Sequence, residues 1–278
     1  MSILFNAEDH SYKSIDDSEK IDWISVTTLV SHFKKPFDSK AVAQRVSKSK
    51  RSKWFGIAPV EIENIWKAEA NRATTLGNYY HNEREDDLCS LASMEREGVT
   101  IPIFPPLSEK AGVRHAPNQK LEPGVYPEHM VYLKSAGICG QSDLVEVVNG
   151  KVNIIDYKTN KEIKRESFVN WEGLSEKLTA PLSGIDDCDF NHYALQLSIY
   201  MYIILKHNPT LKPGKIFIHH VSFEEDSKNE YGYPIAKLND SGDPIVKEVI
   251  SLAMPYLIDE VLSIIHYMRS NKANIKKK

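Results

Sequence analysis

Asn149-Gly150 stands between two runs of alternating apolar residues, GQSDLVEVV before it and KVNIIDYK after it. An Asn-Gly pair in that setting is the strongest short-range signal of a two-residue hairpin, because both turn residues need a positive φ that these two accept at little cost. Register follows from the turn: Val148 pairs with Lys151, and carrying the ladder outward brings Asp143 opposite Asp156. Counting by twos puts Asp143, Val145 and Val147 on one face with Val152, Ile154, Asp156 and Lys158. The other face carries Leu144, Glu146, Asn153, Ile155 and Tyr157.

One face is therefore apolar near the turn and charged at its far end. Two carboxylates with Cβ atoms about 5 Å apart repel by roughly 3 kcal/mol at an effective dielectric near 20. A divalent cation turns that repulsion into attraction, and carboxylate oxygens suit Mg²⁺ or Mn²⁺. An ammonium from Lys158 beside the ion can orient or activate an attacking water and offset charge building on a phosphate. The competing reading is a surface hairpin in which Asp143 and Lys158 make an ordinary ion pair. The valines and Ile154 on the same face speak against it.

The chain has 278 residues, 41% hydrophobic and 26% charged, enough for one large globular domain or two small ones. A net charge of -3 excludes nucleic-acid binding by bulk attraction, so any polyanion site is local. Cys89, Cys139 and Cys188 are far apart and form no CxxC pair, which excludes a four-thiolate metal site and fits a reducing compartment. The start MSILFNAEDH lacks a basic segment followed by an apolar one, and no apolar run approaches the ~18 residues of a membrane span. A soluble, cytoplasmic protein with no membrane partner is the expectation. Neither GxxxxGK[ST] nor GxGxxG occurs, so nucleotide-driven and dinucleotide chemistry have no support.

Along the chain, ILFNAEDHSYKSI reads as a small hairpin around Glu8-Asp9, and Thr27 or Thr28 opens a short helix in WISVTTLVSHF. DSKAVAQRVSKSKRSKW starts on a good helix cap, and helical periodicity runs from Pro59 to Leu91. Thr100 to Pro127 holds six prolines and two glycines and reads as a long irregular connection. EHMVYLK, GQSDLVEVV and KVNIIDYK read as strands, 161–189 as irregular, NHYALQLSIYMYIILKH as a helix and KIFIHHVSF as a strand. Residues 245–270 read as a long helix bent at Pro255, followed by a frayed tail. His219 and His220 are adjacent on a strand, point to opposite faces and are taken as structural.

At the hairpin the sequence resembles the PD-(D/E)XK nuclease superfamily, whose signature is an acid on one strand and (D/E)xK on the next. Here these are Asp143 in GICGQSD and Asp156-Tyr157-Lys158 in IIDYKT. Further pieces follow the order of its RecB-like branch. LGNYYHNERE is similar to the GxxxHxxxE helix at Gly77, His81 and Glu85, and the resemblance implies that His81 joins the metal shell. Without it, one histidine on a helix is usually structural. QLSIY matches QxxxY, placing Gln196 and Tyr200 on one helical face, able to reach the active site or the DNA. Glu128 in PEHMVY corresponds to the acid on the preceding strand, against the alternative of a solvated strand start. The same pattern implies metal ligation by the Tyr157 carbonyl, and Thr159 completes DYKT. The opening FNAEDHSYKS…ISVTTLV resembles the N-terminal region of phage exonucleases and mitochondrial genome maintenance exonucleases, and the resemblance implies a chain encoded by a phage or bacterium.

The resemblance implies an α/β fold with a restriction-endonuclease-like core, a mixed central β-sheet flanked by helices, and a helical N-terminal region. Residues 1–76 would form the N-terminal hairpin and DNA-contacting helices, and 77–278 the nuclease core with its C-terminal helix. Arg45, Lys48, Lys50, Arg51 and Lys53 lead into Trp54, a run that can bind phosphates and stack a base, or equally be a solvated basic helix end. Lys161, Lys164 and Arg165 follow the catalytic strand and can hold DNA, although Glu162 and Glu166 dilute the charge.

The leading expectation is a metal-dependent deoxyribonuclease, an exonuclease on DNA ends or single strands in replication, recombination or repair, with a recombination or replication protein as an admissible partner. His81, Asp143 and Asp156 would hold Mg²⁺ or Mn²⁺, Lys158 assist the water, and Gln196 with Tyr200 orient the substrate. Its rivals are a structure-specific endonuclease on the same fold and a non-catalytic DNA-binding protein with a retired site.

Overall fold

The computed structural model of the protein describes residues 3–6, 11–15, 21–107, 113–116, 118–271 and 275. Strands β1 (Ile3–Asn6) and β2 (Ser11–Ser14) pair antiparallel, with Phe5 against Tyr12. The Glu8-Asp9 turn between them and the lysines at 276–278 lie outside the described residues. β3 (Ile24–Ser25) runs directly into α1 (Val26–His32). Ser25 is the cap, its Oγ accepting from the Thr28 N–H, so the helix opens before the threonines expected to start it. Asp38 caps α2 (Ser39–Lys48) by accepting from the Ala41 N–H. Pro59 opens α3 (Pro59–Cys89), a first-turn position where its missing N–H leaves nothing unsatisfied. α3 passes residues 76 and 77 without a break.

Two pairings emerge where little periodicity is visible. β4 (Ser93–Arg96) pairs with β5 (Val99–Pro102) across Glu97 and Gly98, both at positive φ, and β6 (Val113–His115) pairs with β1. β7 (Gly124–Leu133) then begins four residues earlier than EHMVYLK suggests, which shortens the irregular connection at both ends.

The central sheet is mixed. β8 (Ile138–Val148) and β9 (Lys151–Lys158) form the Asn149-Gly150 hairpin, with Val148 opposite Lys151 as the turn dictates. α4 (Asp189–His207) crosses over to β10 (Lys212–Phe223), which runs parallel to β9. β11 (Glu225–Lys228) and β12 (Pro234–Ala236) make a separate hairpin, and β13 (Val246–Ala253) closes the sheet antiparallel to β10. The stretch 245–270 is thus not one bent helix: an edge strand precedes Pro255, and α5 (Ile258–Asn271) follows it. Val145, Val147, Val152 and Ile154 pack in the main core with α1, α4 and α5, while Leu144, Val148, Ile155 and Tyr157 pack with Tyr80 of α3. Helices therefore cover both faces, and the hairpin is interior. Among the described residues no helix is long and apolar enough to cross a membrane.

Candidate active site

β7 pairs along one edge of β8 from Ile138 to Val147. The opposite edge is shared: β9 pairs with residues 144–148, and β3 pairs in parallel with Ile138 and Cys139. Between those two strands, β8 from Gly140 to Asp143 carries no strand on that edge among the described residues. The opening becomes a cleft of about 860 Å³, walled by α1, α3, the β1–β6 pair and α4.

The strands change face at the same place. Val131 and Ile138 lie in the main core, with Met130 and Cys139 on the opposite side; farther along, Val145 and Tyr126 lie in the main core, with Leu144 and Val125 opposite. The β7–β8 register is the same before and after, His129 with Ser142 and Pro127 with Leu144. Each strand therefore drops one residue from its alternation, Glu128 in β7 and Asp143 in β8. Glu128 takes φ 48°, a conformation that non-glycine residues adopt rarely and mostly where the surroundings impose it.

The ladder between β8 and β9 stops at Leu144 and Ile155. Asp143 does not continue it opposite Asp156, as extrapolated register had it: its Oδ2 accepts from the Tyr157 N–H at 2.7 Å and closes the strand end with its side chain. Its carboxyl lies below the usual range, because His81, Lys158 and the Tyr157 N–H outweigh its burial. Burial and then Asp143 push the Asp156 carboxyl up to about 6. Lys158 Nζ lies 2.5 Å from Asp156 Oδ2, so the lysine pairs with Asp156 rather than Asp143. Burial disfavours the ammonium, but Asp156 and Asp143 outweigh it and raise its pKa. The aliphatic stem ends over the Tyr193 ring, 5.1 Å from Nζ to the centroid.

α3 enters from the other side. Gly77, His81 and Glu85 are four apart on one helical face. A methyl at Gly77 would stand 3.2 Å from Thr159 Oγ1, so glycine lets the helix approach the end of β9. His81 Nε2 lies 3.1 Å from the Tyr157 carbonyl oxygen and Nδ1 3.5 Å from Asp143 Oδ2. Burial lowers its basicity, yet the Asp143 partner carries its pKa up to about 9. Glu85 accepts from Arg114 Nη2 at 2.7 Å, and Arg114 Nη1 lies 3.8 Å from Glu128. Gln141 donates to Glu128 at 2.7 Å, and burial, then Asp143, push the Glu128 carboxyl up to about 8. A solvated strand start is therefore not its environment.

His81, Glu128 and Asp143 each offer a ligand atom, and all three atoms lie within 4.8 Å of one another. Two carboxylates and an imidazole, half-buried together, make a donor set that fits a divalent metal cation. Glu128 stands in this group where Asp156 was expected. Asp156 stays with Lys158, and the Tyr157 carbonyl faces His81. On α4, Gln196 Nε2 donates to Tyr200 Oη at 3.3 Å, and both line the cleft. Tyr200 is itself core, 2% exposed.

The expected DNA contacts divide. Arg45, Lys48, Lys50, Arg51 and Lys53 are exposed and none lines the cleft. Trp54 is buried, stacked on Tyr231 with Lys53 over its ring, so its indole has no open face for a base. Lys161, Lys164 and Arg165 are exposed beyond the end of β9. Arg114, Gln141, Tyr193 and Asn160 escaped the sequence reading. Tyr193 carried a signal, lying three residues before Gln196 on its helical face. Arg114 carried none, reaching the site only because β6 pairs with β1.

No curated protein sequence matches the chain. Among solved structures it is similar to that described as "Crystal structure of SSO0001", at 12% identity over 94% of this chain and 79% of the other, with a TM-score of 0.34, a likeness too slight to carry an argument. A family model of the PD-(D/E)XK nuclease superfamily matches residues 41–275, which takes in α3, α4 and every strand of the central sheet except β3. With the acid–DxK hairpin, the mixed sheet and the helices on both faces all in place, the chain belongs to the PD-(D/E)XK nuclease superfamily.

Proposed function

We propose that the protein is a deoxyribonuclease dependent on Mg²⁺ or Mn²⁺ that acts on single-stranded DNA or on DNA ends, as an exonuclease, in replication, recombination or repair. The observation that carries the reading is the convergence of His81, Glu128 and Asp143 on one point, with the Asp156–Lys158 pair alongside, at the open edge of β8. A divalent cation held there would supply Lewis-acid neutralisation of phosphate charge and acidify a water. Lys158, kept as an ammonium by two acids, faces charge that grows on the phosphate and is not the base. Asp156 holds Lys158 in place. Gln196 and Tyr200 line the wall on which the strand lies.

A preference for a single strand or an end accords with the setting of the site in a cleft walled by α1, α3, α4 and the β1–β6 pair around the residues that would meet the phosphate. The test uses labelled linear single-stranded DNA and its covalently closed circle, with Mg²⁺ or Mn²⁺. Linear DNA is shortened from its ends, the circle survives, and Asp143→Asn and Lys158→Ala each reduce the rate by at least about 100-fold. Cutting of the circle would make the enzyme an endonuclease; undiminished cleavage by both variants would remove the site from the chemistry.

A further inference from the structure

The connection from β9 to α4 contains a turn that does the reverse of what stiff turns usually do with apolar side chains. It is closed by the Asn170 N–H donating to the Leu174 carbonyl, the Glu176 N–H to that of Phe168 and the Gly173 N–H to that of Asn170, with Asn170 Oδ1 accepting from the Glu172 and Leu174 N–H groups. Such an Asx-bonded turn has little freedom. Yet Trp171 is 91% exposed, Phe168 69%, Leu174 61% and Val169 53%. Large apolar side chains left exposed on an ordered frame mark a binding surface.

Its position is tied to the cleft by a chain of contacts. Asn160 lines the cleft and accepts from Tyr193 Oη, whose ring carries the Lys158 ammonium. One helical turn earlier on α4, the Phe190 N–H donates to the Lys164 carbonyl and its ring lies 4.8 Å from the Arg165 guanidinium. Phe168 follows three residues after Arg165, at most about 11 Å of chain. The turn therefore starts beside the N-terminus of α4, the helix that carries Tyr193 to Asn160 and Gln196 to the cleft.

Charge does not explain the surface, since between Asn160 and Lys177 four cations face four acids, Glu162, Glu166, Glu172 and Glu176. Attraction of phosphates is thus not the driving force here. Stacking is: every base has a π-face, and aromatic platforms bind unpaired bases without needing a net field. Trp and Phe held by a rigid turn lose little freedom on binding. A protein partner would meet the same apolar groups, but the attachment of this segment to Asn160 and α4, which line the cleft, favours the strand that runs through it. We infer that Trp171 and Phe168 form a stacking platform for unpaired bases of the DNA strand entering or leaving the active cleft, an inference that rests on the nuclease reading.

The test measures binding of a fluorescent single-stranded oligonucleotide long enough to span cleft and turn, with Ca²⁺ supplied as an oxygen-preferring ion. Trp171→Ala weakens binding about ten-fold, Trp171→Tyr holds it within about two-fold, and replacing the bases outside the cleft by abasic sites removes the difference. Cleavage of a trinucleotide, too short to reach the turn, is unchanged in Trp171→Ala. If Trp171→Ala binds the long strand as the wild type does while wild-type protein degrades linear DNA, the platform is refuted and the nuclease reading stands. If wild-type protein neither binds nor degrades single-stranded DNA, both fall. Trp171 is almost wholly exposed, so its replacement leaves the fold intact.

Discussion

Asp156 and Lys158 show how one residue's chemistry depends on another's presence. Asp156 is 2% exposed at its side chain and Lys158 18%, and their contact makes both charges tolerable in the interior. Removing one member of a buried pair leaves the other charge without compensation, which costs about 3–5 kcal/mol. Lys158→Met should therefore lower unfolding stability by that much in urea melts and abolish DNA cleavage together. Asp156→Asn with Lys158→Met removes both charges, so stability should return to within about 1.5 kcal/mol of wild type while cleavage stays lost. That dissociation separates the ammonium's effect on a phosphate from its part in folding. Equal stability of single and double variants would show that the pair is not the interaction holding Asp156 in place.

At the scale of elements, the site exists because β9 and β3 divide one edge of β8 and because β7 and β8 slip their alternation at Glu128 and Asp143. Gly140 lies in the open stretch, and a methyl on it would stand 2.6 Å from Cε1 of Tyr200, a ring that is 2% exposed and has nowhere to go. Gly140→Ala should cost about 1–3 kcal/mol in the same melts, and Tyr200→Leu in that background should recover part of the loss by vacating the ring's volume. No recovery would mean that Gly140 matters for its backbone instead. The hairpin itself was legible because Asn149-Gly150 dictates a local geometry that tertiary packing had no cause to override. β13 was not, since Val246, Val249, Ile250 and Ala253 stand at helical spacing and its largely exposed edge position imposes no two-residue alternation. The Glu97-Gly98 turn between β4 and β5 uses the same positive φ at both positions as Asn149-Gly150, but glutamate does not announce it. Asp143 and Asp156 were read as facing each other because a ladder was extended past its end. A slip in alternation leaves no mark in the sequence beyond the acids that occupy it.

At the scale of the molecule, the site draws on residues scattered from His81 to Tyr200, so no part of it exists before the chain has folded. Ligands that bind such an assembly bind the folded state alone and raise its stability by mass action. At a hundred times its dissociation constant a cation contributes about 2.7 kcal/mol, which for a chain of this length corresponds to roughly 5 °C in Tm. Mn²⁺ should therefore raise Tm by that amount, and EDTA should reverse it. Asp143→Asn and Glu128→Gln should each erase most of the shift by removing an oxygen donor, whereas Trp171→Ala, on the surface turn, should keep it whole. Relief of repulsion between Glu128 and Asp143 would let either variant melt higher than wild type in EDTA, so the quantity that decides is the difference made by the metal within each variant. A shift that survives both substitutions would place the ion elsewhere, and the convergence of His81, Glu128 and Asp143 would then have to be explained by the Arg114 and Lys158 cations alone.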